Sequence, residues 1–272
     1  MSDHPSHPSP LIQSRQNPKI KFLAGLRKKR DRDQHGCFLI EGSKELDNYL
    51  ASGRKLTEFF HCPDFHKGKD PRLLEQAQSS PATIYELSPH AFEKVSGREN
   101  PDGWLGLAPI EETSLDSLLL SPTPLLLLLE GTEKPGNLGA ILRTANAFGV
   151  DAVICNDPLV DVYNPNVIRT SRGLLFSMQV AIAGAKETAE FLQAHDIPAA
   201  ATVCEGGLPL WEQCLTGPIA LIMGNEALGL GEFWQSQATL QLSIPAPGPA
   251  DSLNLSTATS ICLYEVLRQR EK

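Results

Sequence analysis

Three segments of the chain combine reactive residue types with loops that follow predicted strands. They are residues 130–137 (EGTEKPGN), residues 223–230 (MGNEALGL) and residues 244–254 (IPAPGPADSLN), and the first leads into a predicted helix that carries Arg143. In an open parallel sheet, ligands bind beyond the carboxyl ends of the strands. None of the seven histidines falls in these segments, so an obvious histidine base is missing. The three loops are therefore the predicted ligand site.

The third loop has the most distinctive sequence. Proline occupies every second position from 245 to 249. Because proline lacks the N–H donor and fixes φ, this stretch is predicted to be extended and stiff. Asp251 or Ser252 is predicted to cap the final helix, which places Ser252 and Asn254 in its first turn, where backbone N–H groups suit a polar ligand. The alternative is a proline-rich turn before a capped helix that binds no ligand. That alternative accounts for the cap but not for the density of prolines.

Several other kinds of site are disfavoured by the sequence. It contains neither the Gly-x-Gly-x-x-Gly motif of dinucleotide sites nor the phosphate-binding P-loop motif, and it lacks the Gly-x-Ser-x-Gly motif of α/β-hydrolases. His61, Cys62 and His66 lie close together but have no second cluster to complete a metal site, so no metal is predicted. The six cysteines include no Cys-x-x-Cys pair, which favours a reducing compartment over a disulfide framework.

The elements upstream of these loops predict a small α/β domain at residues 11–110. It follows a predicted disordered tail, residues 1–10, and precedes a linker without clear periodicity, residues 111–124. The predicted helices are residues 18–32, 43–51 (with Ser43 as N-cap), 71–78 and 89–95, and the predicted strands are residues 37–41, 57–62, 83–87 and 104–108.

The loops themselves belong to a second predicted domain, residues 125–272. Its first strand, Leu125–Glu130, is apolar up to its last residue, as expected of a strand buried on both faces. Strand and helix alternate to the end of the chain, which predicts a parallel α/β sheet. The further predicted strands are residues 151–155, 178–182, 199–203, 219–223 and 239–243, and the predicted helices are residues 137–148, 165–172, 186–195 and 252–270.

Charge is distributed unevenly along the chain. The net charge is −8, yet the first 35 residues hold eight Lys or Arg against three Asp, which is +5 and leaves −13 for residues 36–272. Such an asymmetry is a hint of nucleic-acid binding, and the cluster Lys28, Lys29 and Arg30 is its densest part. The alternative is a solvated helix face with mixed charges.

Composition places the chain among soluble globular proteins. Hydrophobic residues make up 41% and charged residues 21%. The longest apolar run, residues 125–129, is far shorter than the ~20 residues that span a bilayer. The N-terminus lacks the basic and apolar regions of a secretory signal. We therefore expect a cytoplasmic protein that does not bind membranes.

At the three loops the chain resembles the SpoU (TrmH-type) RNA ribose 2′-O-methyltransferases of the SPOUT superfamily. Residues 134–145 (KPGNLGAILRTA) are similar to the first family motif, residues 222–230 (IMGNEALGL) to the second, and residues 244–265, with SLNLS and ICLYE, to the third. The motifs occur in the family's order and spacing. The chain departs from the family pattern at Ala246, where Met is usual, and at Ala227, where Gly is usual.

The resemblance implies a fold and a cofactor. The fold would be a parallel-sheet domain with a deep trefoil knot, a rare exception to unknotted topology. Residues 11–110, which include FLIEG at 38–42, resemble the family's small N-terminal RNA-binding domain more loosely. The cofactor would be S-adenosyl-L-methionine, contacted by Gly224, Ile244 and Leu253 largely through the backbone.

The resemblance also implies which residues catalyse the reaction. In-line attack by a ribose hydroxyl needs alignment and stabilisation of developing alkoxide charge. Because a guanidinium stays protonated, Arg143 is expected to clamp an RNA phosphate and polarise the 2′-oxygen rather than act as a base. For Glu226 the alternative is a loop carboxylate that accepts from backbone N–H groups. The assigned catalytic residues are Asn137, Arg143, Glu226, Ser252 and Asn254.

The expected substrate is RNA, and ribosomal RNA in particular, because a separate N-terminal domain favours a large folded RNA. A transfer RNA 2′-O-methyltransferase and a non-catalytic RNA-binding protein of the same fold remain alternatives, and a Rossmann-type enzyme is disfavoured. The family further implies a homodimer in which Arg143 reaches the cofactor of the other chain. The final predicted helix gives a physical reason for a dimer. Its apolar residues cover more than the single stripe that a surface helix needs against its own sheet, so the rest must be buried elsewhere. The apolar residues are Leu253, Leu255, Ala258, Ile261, Cys262, Leu263, Val266 and Leu267.

Overall fold

The computed structural model describes residues 9–66, 71–111, 114–249 and 251–271, and these divide into two compact units. The N-terminal unit consists of the described residues up to Glu111 together with Tyr163–Arg169, and the C-terminal unit holds the remainder. The sequence placed Tyr163–Arg169 in the C-terminal domain. It groups with the N-terminal unit because the Tyr163 hydroxyl donates to the Glu111 carbonyl over 2.7 Å and its ring lies 4.4 Å from that of Phe38. Most of the predicted tail, residues 1–8, and part of the predicted linker, residues 112–113, lie outside the described residues.

The N-terminal unit is built on a five-stranded mixed sheet. The strand order is β1-β4-β3-β5-β2, with β5 antiparallel to both of its neighbours and the other pairs parallel. The strands are β1 (Leu11–Ile12), β2 (Cys37–Glu41), β3 (Glu58–His61), β4 (Thr83–Leu87) and β5 (Trp104–Pro109). The helices are α1 (Pro18–Gly25), α2 (Lys29–His35), α3 (Ser43–Ala51), α4 (Pro71–Gln78) and α5 (Pro89–Val95).

The predicted basic helix at residues 18–32 is in fact two helices. α1 ends at Gly25 and α2 begins at Lys29, with Lys28 as its extended N-cap. Arg32 is 1% exposed and donates to the Leu26 carbonyl over 2.7 Å, so this side chain turns inward across the break. Arg32 is one of the eight basic residues in the first 35, but its charge is buried and hydrogen bonded to backbone and does not lie on the surface.

The prediction that Ser43 is an N-cap is wrong by one residue. Gly42 is the N-cap of α3, with φ of 114°, a conformation that residues with a Cβ rarely adopt. The backbone N–H of Ser43 is instead satisfied by a side chain from outside the helix, since it donates to Asp102 Oδ2 over 2.8 Å.

His61, at the end of β3, makes the N-terminal unit sensitive to acid. The side chain is 6% exposed, and burial lowers its pKa below the ordinary value of 6.5, against the opposing charge of Glu86. As pH falls through 6.5, the unfolded chain takes up the proton first, so folding loses stability toward lower pH. We expect the unfolding free energy of His61→Gln to fall less than that of the wild type between about pH 7 and pH 5 in denaturant titrations. The exposed control His90→Gln should keep the wild-type slope, and an unchanged slope in His61→Gln would contradict the assignment.

The C-terminal unit contains the predicted parallel sheet. Its seven strands run in the order β10-β12-β9-β11-β6-β7-β8, and every pair is parallel. The strands are β6 (Leu125–Glu130), β7 (Ala152–Asn156), β8 (Gln179–Ala183), β9 (Ala199–Thr202), β10 (Leu208–Pro209), β11 (Ile219–Met223) and β12 (Leu240–Ser243). The helices are α6 (Pro135–Ala147), α7 (Pro165–Thr170, mostly in the N-terminal unit), α8 (Ala185–Ala194), α9 (Glu232–Gln237) and α10 (Leu255–Arg270).

The centre of this sheet is apolar on both faces. β11 and β7 are buried throughout, and β6 is buried except at Glu130. Trp234 on α9 is fully buried in the same cluster, which fixes the segment between β11 and β12 against the sheet. The central strands therefore hold their carboxyl ends rigidly at one edge, where the predicted loops begin.

The predicted start of the final helix is too early. α10 begins at Leu255, and Asn254 is its N-cap, with Oδ1 accepting from the Ser256 N–H over 3.0 Å. Ser252 therefore precedes the helix instead of lying in its first turn, and neither Asp251 nor Ser252 caps it. The cap lies three residues later than the first possible capping side chain, because it is the Asn254 side chain that accepts from the first turn of the helix.

α10 buries one face and leaves another open. Leu255, Cys262, Leu263 and Val266 are buried, whereas Ile261 is 37% and Tyr264 56% exposed. No helix among the described residues is long and apolar enough to cross a bilayer. The trefoil knot that the family resemblance implies stays a prediction.

Candidate active site

A cleft of about 920 Å³ lies at the carboxyl ends of β9, β11 and β12, within the C-terminal unit. Its walls are the loops that follow these strands, so the second and third predicted segments meet in one site. Five of the eight predicted catalytic and cofactor residues line it. They are Gly224, Glu226, Ile244, Ser252 and Leu253.

Gly224 is required by the closeness of the backbone around it. A Cβ on this residue would lie 2.5 Å from the Leu230 amide nitrogen, a contact with main chain that no rotamer change relieves. The following residues fold back as a tight turn, in which Asn225 and Gly229 exchange backbone hydrogen bonds of 2.9 and 3.0 Å. Residues of this turn line the cleft, as expected for a site that contacts its ligand partly through main-chain atoms.

Asn225 joins the second loop to the first, a role that the sequence prediction missed. Its Oδ1 accepts from the N–H groups of Ala227 and Leu228, at 2.8 and 3.1 Å. Its Nδ2 donates to the Gly131 carbonyl at 2.7 Å and to Glu133 Oε1 at 3.0 Å. One amide thus fixes the shape of its own loop and ties it to the loop that leads into α6. No local sequence pattern signals this role, because it depends on a loop 92 to 94 residues away in the chain.

Removal of this amide should loosen the site without unfolding the protein. Asn225→Ala loses four hydrogen bonds of about 1 kcal/mol each, and water can replace part of them because three are exposed, so we expect kcat/KM to fall by about 10- to 100-fold. Asn225→Asp keeps the acceptor for the loop but not the donor to Gly131, so we expect an intermediate loss. Steady-state kinetics with thermal melts as a folding control measure both. Near wild-type kinetics for Asn225→Ala would refute the role.

Three predicted catalytic residues form a hydrogen-bonded chain. Asn137 Nδ2 donates to Glu226 Oε1 over 2.6 Å, and Asn254 Nδ2 donates to Asn137 Oδ1 over 3.2 Å. Asn254 in turn caps α10. This series of hydrogen bonds therefore connects the start of α6, the loop after β11 and the start of α10. It ends at the Glu226 carboxylate on the cleft wall.

One carboxylate oxygen of Glu226 takes no part in these hydrogen bonds. Its Oε2 is buried and has no hydrogen-bond partner among the described residues. The other oxygen accepts from the Asn137 side chain, whereas the alternative prediction had backbone N–H donors. A buried carboxylate oxygen without a donor is costly, so this atom is suited to accept a hydrogen bond from a bound ligand.

Arg143 lies apart from these residues. It is exposed on α6, six positions after Asn137, which places it about 120° around the helix axis and about 9 Å along it. It does not line the cleft, and it makes no hydrogen bond or ion pair with the described part of the chain. The structure of a single chain therefore does not bring Arg143 to the site.

The predicted RNA-binding cluster is partly neutralised within the N-terminal unit. Lys29 forms an ion pair with Asp33 at 2.6 Å, and Arg30 forms one with Asp31 at 3.0 Å. Lys28 is exposed and has no such partner among the described residues. Lys28 is therefore the member of the cluster whose charge is free for a phosphate.

The cleft fits S-adenosyl-L-methionine by its size and its atoms. Small-molecule sites span about 300–1,000 Å³, and this cleft lies within that range. It offers the apolar side chains of Ile244 and Leu253, the backbone around Gly224 and the unpartnered oxygen of Glu226. No group of metal-ligating side chains exists among the described residues. A cleft at the carboxyl ends of the strands of a parallel α/β sheet is where such folds bind their ligands, nucleotide cofactors among them.

Comparison with known proteins identifies the class. Residues 124–264 match the model of the SpoU rRNA Methylase family, and residues 17–106 match that of the MRM3-like substrate binding domain. The 23S rRNA (guanosine(2553)-2′-O)-methyltransferase RlmP of Bacillus subtilis is 29% identical over 255 residues, which cover 94% of this chain and 98% of that protein.

Solved structures agree over nearly the whole chain. An RNA 2′-O ribose methyltransferase is 38% identical with a TM-score of 0.83, covering 96% of this chain and all of that one. An AdoMet-bound rRNA methyltransferase from Sinorhizobium meliloti is 26% identical with a TM-score of 0.86, covering 95% and 97%. The chain belongs to the SpoU rRNA methylase family. It is an RNA ribose 2′-O-methyltransferase with S-adenosyl-L-methionine as its cofactor, and the predicted parallel-sheet α/β fold with a small N-terminal domain, the activity and the cofactor are confirmed.

Proposed function

We propose that this enzyme methylates a ribose 2′-hydroxyl of ribosomal RNA in the cytoplasm, in the cleft described above. The observation that carries the site is the hydrogen-bonded chain from Asn254 through Asn137 to Glu226, which ends on the cleft wall. The choice of ribosomal RNA is supported by the separate N-terminal unit and by similarity to a 23S rRNA methyltransferase. Six cysteines without disulfides fit a reducing compartment.

The residues of the cleft would divide the work between cofactor and RNA. Gly224, Ile244 and Leu253 would hold S-adenosyl-L-methionine, which supplies an electrophilic methyl group when bound. Glu226 would accept a hydrogen bond through its free Oε2, and Ser252 at the cleft edge would orient the ribose. Positioning of this kind matters because the ribose hydroxyl is a weak nucleophile that must approach in line.

Arg143 is proposed to act in a homodimer. Its exposure and its distance from the cleft of its own chain support a role in the site of a second chain. α10 offers a surface for that chain, since Ile261 and Tyr264 are exposed on one side of it and Tyr264 contacts Phe148 at the end of α6 edge to face, with 6.4 Å between ring centroids. A two-fold axis at this surface would bring each helix against its copy.

Lys28 is predicted to contribute more to RNA binding than its neighbours. We expect Lys28→Ala to weaken RNA binding and to flatten its salt dependence by up to ~0.9 in the slope of log K against log salt. Lys29→Ala and Arg30→Ala should weaken RNA binding less than Lys28→Ala does. The reason is that Asp33 already pairs with Lys29, and Asp31 with Arg30. Filter binding at several salt concentrations measures this, with Lys186→Ala on α8 as a control. If the variant with all three residues replaced by Ala kept the wild-type RNA affinity and salt dependence, the cluster would be a solvated helix face.

Transfer of a labelled methyl group tests the substrate. Ribosomal and transfer RNA transcribed in vitro, and therefore unmodified, would be incubated with enzyme and labelled cofactor, then digested to nucleosides. We expect 2′-O-methylnucleosides from 23S rRNA only. Label in transfer RNA alone would identify the enzyme as a transfer RNA 2′-O-methyltransferase. RNA binding without transfer to either RNA would favour the non-catalytic alternative.

A further inference from the structure

The cofactor cleft carries negative charge and no positive charge. Three of its described lining residues are acidic, namely Glu205, Glu226 and Asp251, and none is lysine, arginine or histidine. Glu205 and Asp251 are exposed, and neither forms an ion pair or hydrogen bond with another described residue. Their charges are therefore not cancelled within the chain.

The two forms of the cofactor differ by one positive charge. Methyl transfer breaks the sulfur–carbon bond, forms an oxygen–carbon bond, leaves the electron pair of the broken bond on sulfur and releases the 2′-hydroxyl proton to water. The sulfonium thus becomes a neutral thioether, and S-adenosylhomocysteine lacks the charge that S-adenosylmethionine carries. Apolar and backbone contacts around Gly224, Ile244 and Leu253 bind both forms alike, so they cannot separate donor from product.

We infer that Glu205 and Asp251 are specificity residues that make the cleft prefer the methyl donor over its demethylated product. Carboxylates at the rim attract the sulfonium charge, which only S-adenosylmethionine carries, and they therefore favour the donor over the product. The inference rests on the proposed placement of the cofactor in this cleft. Both side chains are exposed, and exposed ion pairs contribute little, so we expect each to favour the donor by about 1.5- to 5-fold.

The charge of the cleft also distinguishes the two substrates of the reaction. An RNA strand is a polyanion, and the acidic cleft disfavours entry of its phosphates. The excess of basic residues lies in the first 35 residues, whereas residues 36–272 carry −13. The cleft is therefore suited to admit the small cation and to receive from RNA only the neutral ribose.

Calorimetric titration of the full-length protein tests the inference with three ligands. They are S-adenosylmethionine, S-adenosylhomocysteine and sinefungin, an analogue in which a protonated amine replaces the sulfonium. Glu205→Gln, Asp251→Asn and the double variant should lose affinity for the two cationic ligands and keep affinity for S-adenosylhomocysteine. Glu187→Gln on α8, outside the cleft, removes the same charge and should change none of the three.

Salt gives a second readout that needs no variant. The wild-type preference for S-adenosylmethionine over S-adenosylhomocysteine should shrink at high salt, where exposed charges are screened, and the double variant should show a flat response. Equal losses for all three ligands, or none, in folded variants that still bind the cofactor would overturn the inference and leave the proposed function standing. Normal S-adenosylmethionine binding by Gly224→Ala would place the cofactor elsewhere and overturn both.

Discussion

Arg143→Ala is expected to abolish methyl transfer and to leave S-adenosylmethionine affinity nearly unchanged. The side chain does not line the cleft of its own chain, so its loss removes no cofactor contact within that chain. A guanidinium that polarises the 2′-oxygen acts only as charge develops there, and removal of such a donor costs about 100- to 1,000-fold in rate. Single-turnover methylation measures the rate, and calorimetry measures the affinity.

Arg143→Lys separates charge from geometry at the same position. Lysine keeps the positive charge but cannot make the bidentate contact, so we expect a partial loss between those of the wild type and Arg143→Ala. The exposed side chain has no partner among the described residues, so neither change should lower the melting temperature. Near-normal turnover by Arg143→Ala would remove this residue from the mechanism.

Gly224→Ala is expected to weaken S-adenosylmethionine binding by about 10- to 100-fold, because the new methyl group would overlap backbone that cannot move without reshaping the turn. The overlap is with the Leu230 amide nitrogen at 2.5 Å. Methyl transfer at ordinary cofactor concentrations should be lost with it. The preceding strand, β11, is buried throughout and lies outside the turn, so the variant should remain folded.

Gly217→Ala provides the matched control for this substitution. Gly217 lies just before β11, whereas Gly224 lies just after it, and a Cβ at Gly217 meets nothing within 4 Å. The control should bind the cofactor as the wild type does. If both variants bound equally well, the tight approach at Gly224 would not be part of the cofactor site.

The fold of the C-terminal unit was readable from the sequence because its strands are buried on both faces. Apolar runs such as Leu125–Glu130 and Ile219–Met223 leave no ambiguity about strand and helix. Short elements were missed, namely β1, β10 and α9, because two to six residues show no period. The position of Tyr163–Arg169 depends on contacts with Phe38 and Glu111, which are remote in sequence.

The site was predicted in part. Of the three predicted loops, the second and third line the cleft, and the structure brings Glu226, Asn137 and Asn254 close enough to hydrogen bond. The start of α10 was misplaced because Asp251, Ser252 and Asn254 are all good caps, and only the path of the chain selects Asn254. The role of Asn225 depends on the approach of two loops 92 to 94 residues apart in sequence, which no local pattern reveals.

Complementation between two inactive chains tests most directly whether the cleft of one chain uses the Arg143 of another. Arg143→Ala and Gly224→Ala chains would be mixed in equal amounts, unfolded and refolded together, with each variant alone as control. In a heterodimer the intact cleft of one chain meets the intact arginine of the other. With random pairing, the mixture should recover about a quarter of wild-type methyl transfer to ribosomal RNA, from half of the dimers with one working site each. No recovery in a mixture shown to contain heterodimers, or full wild-type activity from a monomer, would contradict a shared active site.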